Sequence, residues 1–377
     1  MNALERLLSD LVAIDSMNPD LVPGAAGEAA IAAFIADWLR AAGLEVRVEE
    51  VQPGRPNVIG IARGSGGGRS LLLNGHIDTV GVTGMSEPFI PRVRDGRLYG
   101  RGAYDMKSGV AACMVAAVEA AKLKLRGDVI VTAVMDEEYA GMGTLAVAEH
   151  TRADAAIVAE PTELQLVVAH KGFVWLEVET EGVAAHGSRP HLGVDAIVKM
   201  GGVLAGLDRL VGELSRRPAH PLLGPPSVHA STIQGGGEWS TYPDRCTLAV
   251  ERRLLPGETG DAAEAELQAI VAALAAADPA FRATVRRDLV RSPLETPADA
   301  AVLRTVQQAA AGVLGRLVEP AGVSFWTDAA SLHEAGIPTV LFGPLGAGAH
   351  AVEEWVDLAS VQTCAEIYLA TAAAFCA

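Results

Sequence analysis

Three apolar runs in this chain end in groups that polarity should keep out of a core, and those groups are the ones able to do chemistry. Residues 71–75 lead into His76-Ile77-Asp78, residues 129–135 into Asp136-Glu137-Glu138, and residues 155–159 into Glu160-Pro161-Thr162. Asp105 stands just ahead of a small-residue apolar stretch at 106–121, and His350 closes the glycine-rich segment 344–349. Acids at the mouth of an apolar strand are costly unless something positive faces them. Two histidines and four or five carboxylates, with no thiolate among them, suit zinc or a similar first-row ion at an open catalytic site. Two ions fit if one carboxylate bridges, and such a pair makes hydroxide available near neutral pH. A neighbouring acid must then carry the water's proton to the leaving amine, and of Glu137 and Glu138 one can ligate while the other serves as that base. Asp78 lies two residues after His76, on the same strand face, where it can hold the imidazole's other nitrogen or ligate directly.

These placements require a scaffold that releases several strand ends at one edge. Continuous apolar runs of this length suit strands covered on both faces, as in a parallel sheet, whose ligands bind beyond the carboxyl ends. Around them, residues 28–42 carry Ile31, Phe34, Ile35, Trp38 and Leu39 at helical spacing, with Gly43 as a stop. Residues 44–51, 57–62 and 338–343 read as further strands, and 144–149, 299–314 and 359–375 as helices. The middle of the chain changes character: strand 173–179, helix 194–214, strands 227–233 and 247–255, helix 262–276, strand 281–285. That is the order of a ferredoxin-like split βαβ unit. The expected fold is therefore α/β, with helices around a mostly parallel sheet in a metal-binding catalytic domain at 1–172 and 291–377. An α+β, ferredoxin-like lid or dimerisation domain is inserted at 173–290, about 120 residues, an ordinary size for one domain.

Composition narrows the partners. With 377 residues and 50% hydrophobic content the chain can build a sizeable core, and a formal charge of -16 argues against a nucleic-acid surface. The Ala-rich stretches are broken by charges or Gly before reaching a membrane-spanning length, and the N-terminus lacks the apolar core of a signal peptide. Cys113, Cys246, Cys364 and Cys376 have no close spacing, so neither a disulfide framework nor a thiolate zinc site is expected. The expected setting is cytoplasmic, with no nucleic acid and no membrane as partner.

Five motifs in order resemble one family along nearly the whole chain: residues 74–80 (Asn-Gly-His-Ile-Asp-Thr-Val), 99–109 (Tyr-Gly-Arg-Gly-Ala-Tyr-Asp-Met-Lys-Ser-Gly), Glu137-Glu138, Glu160-Pro161-Thr162 and His350-Ala351-Val352-Glu353-Glu354. They are similar to the M20 metallopeptidases and deacylases, among them acetylornithine deacetylase, succinyl-diaminopimelate desuccinylase and glutamate carboxypeptidase. The resemblance implies two zinc ions per subunit, replaceable by cobalt, one held by His76, Asp105 and Glu160 and the other by Asp105, Glu138 and His350. It makes Glu137 the general acid/base acting on a metal-activated water, and Asp78 the group that orients His76. Residues 182–188 resemble the family segment whose histidine, here His186, reaches a partner subunit's site and steadies the oxyanion, which implies a homodimer through the inserted domain. Residues 251–258 resemble the segment whose arginine, here Arg253, binds the substrate's carboxylate; a planar guanidinium suits that task. For Arg252, beside it, a surface charge is the alternative reading. Asp328 matches a family segment near the metals as a supporting group. His150, His170, His191, His220, His229 and His333 are expected at the surface or in the core without a catalytic part. The implied reaction is hydrolysis of the amide of an N-acyl amino acid, with a dipeptidase or carboxypeptidase on the same scaffold as the alternative. Glu160, where peptidase-like relatives often carry Asp, points to the deacylase. Two departures from the acetylornithine and diaminopimelate enzymes are Ser240-Thr241-Tyr242-Pro243 in place of an Asn-containing loop, and residues 84–89 without the Trp frequent before Pro-Phe.

Overall fold

Apolar continuity accounts for the central sheet. In the computed structural model, which describes residues 2–377, Leu71–His76, Val129–Val134 and Ala155–Val158 are buried along their whole length and pair in parallel. Thr339–Leu341 adds in parallel beside Ala155–Val158. Antiparallel strands flank this centre: Arg55–Ala62 and then Glu45–Gln52 on one side, Leu166–His170 on the other. The sheet is mixed, and parallel where both faces are covered.

Register decides where the chemistry emerges. His76 lies level with Val134, and Asn74 with Val158. Strands running the same way therefore release His76, Asp136 and Glu160 at one edge. Side chains alternate across the sheet. Leu71, Leu73, Val129 and Val131 share a core with helices Ala3–Val12, Ala29–Ala41, Lys107–Ala121, Ala301–Leu314 and Leu358–Phe375. Asn74 turns to the other face, where its Nδ2 donates to Thr144 of helix Met142–His150 at 3.1 Å. Leu358–Phe375 is apolar and long enough to cross a membrane by composition, but half of it is buried in this core.

Among the elements with no reading in the sequence above are an N-terminal helix and a small second sheet. Ala3–Val12 is a helix started by a reciprocal cap between Asn2 and Glu5. Arg92–Arg94, Arg97–Tyr99, Gly346–Ala347 and Trp355–Asp357 form a small second sheet, so the glycine-rich segment before His350 is the arm of a hairpin as well as a loop.

The chain divides into two compact units. The first runs to Val168 and takes in Thr296–Ala321 and Thr327–Ala377; the second is Ala169–Glu295 with Gly322–Trp326. In the second, the strands lie in the order Ser227–Gly235, Arg245–Leu254, Gly172–Glu181, Arg282–Arg291, all antiparallel. That is ferredoxin-like connectivity, with the first strand between the third and the fourth. Burial alternates along Gly172–Glu181 and Arg245–Leu254 because helices Ala196–Leu214 and Gly260–Ala277 pack against one face of the sheet.

Candidate metal centre

His76 ends its strand with 1% of its surface exposed, and both ring nitrogens are engaged. Nδ1 faces the Asp78 backbone carbonyl at 3.0 Å and Asp78 Oδ1 at 3.4 Å. Nε2 points at Asp105 Oδ1 (3.2 Å), Glu137 Oε2 (3.9 Å) and Glu160 Oε1 (4.0 Å). The second oxygen of Asp105 lies 3.4 Å from His350 Nε2, which is 2.9 Å from Glu138 Oε2. Asp105 thus stands between two imidazoles, one per carboxylate oxygen. Two non-glycine residues here adopt left-handed backbone, Asp136 (φ 70°) and His350 (φ 61°), a conformation seldom kept without a functional reason.

The electrostatics follow from burying acids together. Burial opposes a charged His76, but Asp105 and Asp78 outweigh it and hold the ring well above its ordinary range. Asp105 is buried too, yet its contacts with His350 and His76 hold it below the usual carboxylate range. Glu138 is pushed up to about 7 by burial and by the charge of Asp105. Burial also drives Glu137 and Glu160 well up, with Glu160 adding to the effect on Glu137 and Asp105 to that on Glu160. Asp105 and Glu138 raise His350 to about 10.

Residues beyond the two rings and their acids fix the loops that carry them. Glu354 is buried and accepts from the backbone N–H of Gly102, Tyr104 and Asp105 and from Arg101 Nη1 at 2.6 Å, which fastens the turn that presents Asp105. Asp78 accepts the backbone N–H of Glu137 (3.1 Å) and Glu138 (3.2 Å), so one carboxylate aligns the imidazole and the acid pair together. Asn18 Nδ2 bridges Asp78 (2.8 Å) and Asp136 (3.1 Å). Arg55, itself buried, holds Glu28 through two bonds and reaches Asp136 at 3.1 Å. Asn18, Glu28, Arg55, Asp136 and Glu354 have no reading of their own in the sequence. Their signal there is faint: single polar residues where apolar segments begin or end, and an acid pair three and four residues past His350.

The donor set fits divalent cations. His76, Glu137 and Glu160 present ligand atoms within 4.8 Å of one another, and so do His76, Asp105 and Glu138. The structure thus brings His76, Asp78, Asp105, Glu137, Glu138, Glu160 and His350 into one cluster. Oxygen and imidazole donors without thiolate suit zinc-like ions at catalytic sites, and a cation between acids forced up by burial would restore their ionised form.

His186 and Arg253 belong to the other unit. Ser188 donates its backbone N–H (3.2 Å) to His186 Nδ1 and its hydroxyl lies 2.8 Å from the same atom, so Nδ1 accepts and Nε2 is the ring nitrogen left to donate. The segment around His186 is tied to residues 240–242 by the bonds Gly187 N–H to Ser240 O and Tyr242 N–H to Ala185 O. Arg253 is partly exposed. Arg252 is not a surface charge: it is 1% exposed, paired with Glu258 (2.7 Å) and Glu266 (3.0 Å), because strand alternation turns it toward the helix Gly260–Ala277. Among the remaining histidines, His150 is exposed beside Glu49 and His170 is buried.

A buried imidazole and carboxylate cluster at the carboxyl edge of a mixed sheet, in a chain with a ferredoxin-like second unit, fits the metallohydrolase class. Residues 72–374 match Peptidase family M20/M25/M40. The chain is 33% identical to acetylornithine deacetylase of Myxococcus xanthus over 99% of its own length and 98% of that protein's. It is 30% identical to N-formyl-4-amino-5-aminomethyl-2-methylpyrimidine deformylase of Bacillus subtilis (strain 168), over 89% and 87%. Among solved structures, the Bacillus subtilis YXEP protein, a dinuclear metal binding peptidase of the M20 family, superposes with a TM-score of 0.76 at 18% identity, over 99% of this chain and 97% of that one. The chain belongs to the M20 family and is a hydrolase of its amidohydrolase and peptidase kind.

Proposed function

We propose that this hydrolase removes a small acyl group from an N-acyl amino acid, in the cytoplasm and as a homodimer through its inserted unit. The observation that carries the chemistry is Asp105, whose two oxygens face His76 and His350 while Glu137 and Glu138 sit beside them. The relatives at 30% and 33% identity favour a deacylase over a peptidase, since by name both remove an acyl group.

His76, Asp105 and Glu160 would hold one cation and Asp105, Glu138 and His350 a second, zinc or cobalt. When bound, such ions polarise a scissile carbonyl and acidify water. The chain's own residues do the rest. Arg253 binds the substrate carboxylate, and His186 donates Nε2–H to the oxygen that gains charge as the carbonyl becomes tetrahedral. Asp78 keeps Nδ1 of His76 occupied so that Nε2 faces the centre. Glu137 accepts the attacking water's proton on its carboxylate and passes it to the departing nitrogen: the new C–O bond forms, the C–N bond breaks, and acid and amine leave. Burial and Glu160 raise the Glu137 carboxyl well above its ordinary range, which strengthens it as an acceptor of the water's proton.

Glu137→Gln tests this. It should lower kcat by about 10²–10⁴-fold with metal content unchanged, and retained turnover would remove Glu137 from the mechanism. A panel of N-acetyl, N-formyl and N-succinyl amino acids against dipeptides, run on zinc-loaded enzyme, separates deacylase from peptidase. The edge strand Ser227–Gly235, exposed along most of its length, is the surface through which the second unit would pair with its copy. A solution mass of a single chain would refute that pairing.

A further inference from the structure

Arg253 does not stand alone on its sheet. Glu251 lies two residues before it and so shares its face. The neighbouring strand sets Trp175 opposite Glu251 and Phe173 opposite Arg253. Each contact in this square has a direction. Arg253 donates Nε–H to Glu251 Oε1 at 2.7 Å. Trp175 donates Nε1–H to the other oxygen, Oε2, at 3.0 Å. The guanidinium carbon lies 5.4 Å from the centre of the Phe173 ring. Glu251 is thus held by two different donors, and it engages one edge of the guanidinium instead of chelating it. Among the described residues, Arg253 Nη1 and Nη2 have no hydrogen-bond partner, and the side chain is 30% exposed.

We propose that Glu251 is a positioning residue: it anchors Arg253 by the Nε edge so that the Nη1 and Nη2 edge is presented to the substrate's carboxylate. This rests on the reading of Arg253 given above. A guanidinium on a long, flexible stem loses rotamer freedom when it binds, and fixing it beforehand removes that cost from the binding step. Trp175 contributes by turning the Glu251 carboxylate, and Phe173 by bounding one side of the guanidinium. A carboxylate beside an arginine has an opposite effect as well, since its negative charge repels an incoming carboxylate. The two effects predict opposite signs, which makes the proposal decidable.

The substrate for the test is the N-acetyl amino acid that wild type cleaves best in the panel above, together with its α-carboxamide. Glu251→Gln keeps the side chain's shape and an oxygen for Trp175 but loses the charge-assisted bond to Arg253. It should raise KM for the carboxylate substrate about tenfold, the worth of one such bond, with kcat and the KM of the carboxamide nearly unchanged. Trp175→Phe, which keeps the ring and deletes the donor, should shift KM the same way by less, and it serves if the first variant does not fold. A KM that falls or stays constant in both variants overturns the proposal, because Glu251 would then only compete for Arg253 or only support the sheet. Arg253→Ala is the control on the underlying reading. It should abolish the preference for carboxylate over carboxamide. If that preference survives, Arg253 is not the carboxylate site and the role of Glu251 falls with it; if it is lost while the Glu251 and Trp175 variants behave as wild type, only the positioning role fails.

Discussion

Asp328 is 1% exposed, and its two oxygens fare differently. Oδ2 accepts the Thr144 hydroxyl at 2.7 Å, whereas Oδ1 has no hydrogen-bond partner among the described residues. Burial pushes this carboxyl up to about 7, and its charge in turn raises Glu137 and Glu160. Asp328→Asn retains an oxygen for Thr144 and removes the negative charge, so Glu137 should ionise at lower pH. The acid limb of kcat/KM should therefore move to lower pH in this variant; a limb that stays in place or moves up would show that Asp328 does not act on Glu137 through its charge. Residues of this kind are hard to read from sequence. Nothing in the pattern of Trp326-Thr327-Asp328-Ala329 sets it apart, and only likeness to a family segment draws the eye. His76, Glu137 and Glu160 were legible for the opposite reason: each interrupts a run of apolar residues long enough to define a buried strand. The burial of Arg252 is not legible in the same way, because a charged residue beside another on a strand looks exposed until the pleat's phase is known.

The helix Lys107–Ala121 shows how an element holds a site in place. It begins just after Asp105, and Gly109 in its first turn lies so near the strand edge that an added Cβ would meet the Ala159 carbonyl oxygen at 2.1 Å. That oxygen belongs to the residue before Glu160, so the contact sets the spacing between two of the clustered acids. A backbone atom cannot swing aside as a side chain can. Gly109→Ala should then force the helix away from the strand and destabilise the protein by about 1–3 kcal/mol. Affinity for a divalent cation should fall as well, because Asp105 moves with the helix. Denaturant melts with and without zinc check both parts, and a variant of wild-type stability would mean that the helix start tolerates the shift. At this scale the sequence was informative for long elements. Lys107–Ala121, Val129–Val134 and Leu358–Phe375 are regular because continuous small or apolar residues leave no other way to bury them. The small sheet of Arg92–Arg94, Arg97–Tyr99, Gly346–Ala347 and Trp355–Asp357 was not legible. Its strands are too short to show a period, and it is stabilised by pairing between distant segments.

On the scale of the whole molecule, the cluster couples folding to protons and to metal. Glu138 and Asp328 are both held up to about 7 in the native state, chiefly by burial, against ordinary values of 4.5 and 3.8. Their sign is fixed: between those limits the native protein binds more protons than the unfolded chain, so their contribution is complete below about pH 4 and is lost as pH rises through 7. Asp105 acts in the opposite sense, since its depressed value confers stability that disappears only on acidification below the ordinary carboxylate range. Protein stripped with a chelator should accordingly melt at a lower temperature at pH 7.5 than at pH 5.5. A divalent cation competes with protons for the same oxygens, and its binding free energy adds to that of folding. The rise in melting temperature on adding zinc or cobalt should consequently grow over the same pH interval, most steeply where Glu138 gives up its proton. Thermal melts of stripped and reloaded protein at pH 5.5, 6.5 and 7.5 measure both trends. If the stripped protein were equally stable at all three, and the increment from the cation independent of pH, the acids gathered around Asp105 would not be the groups that take up the metal.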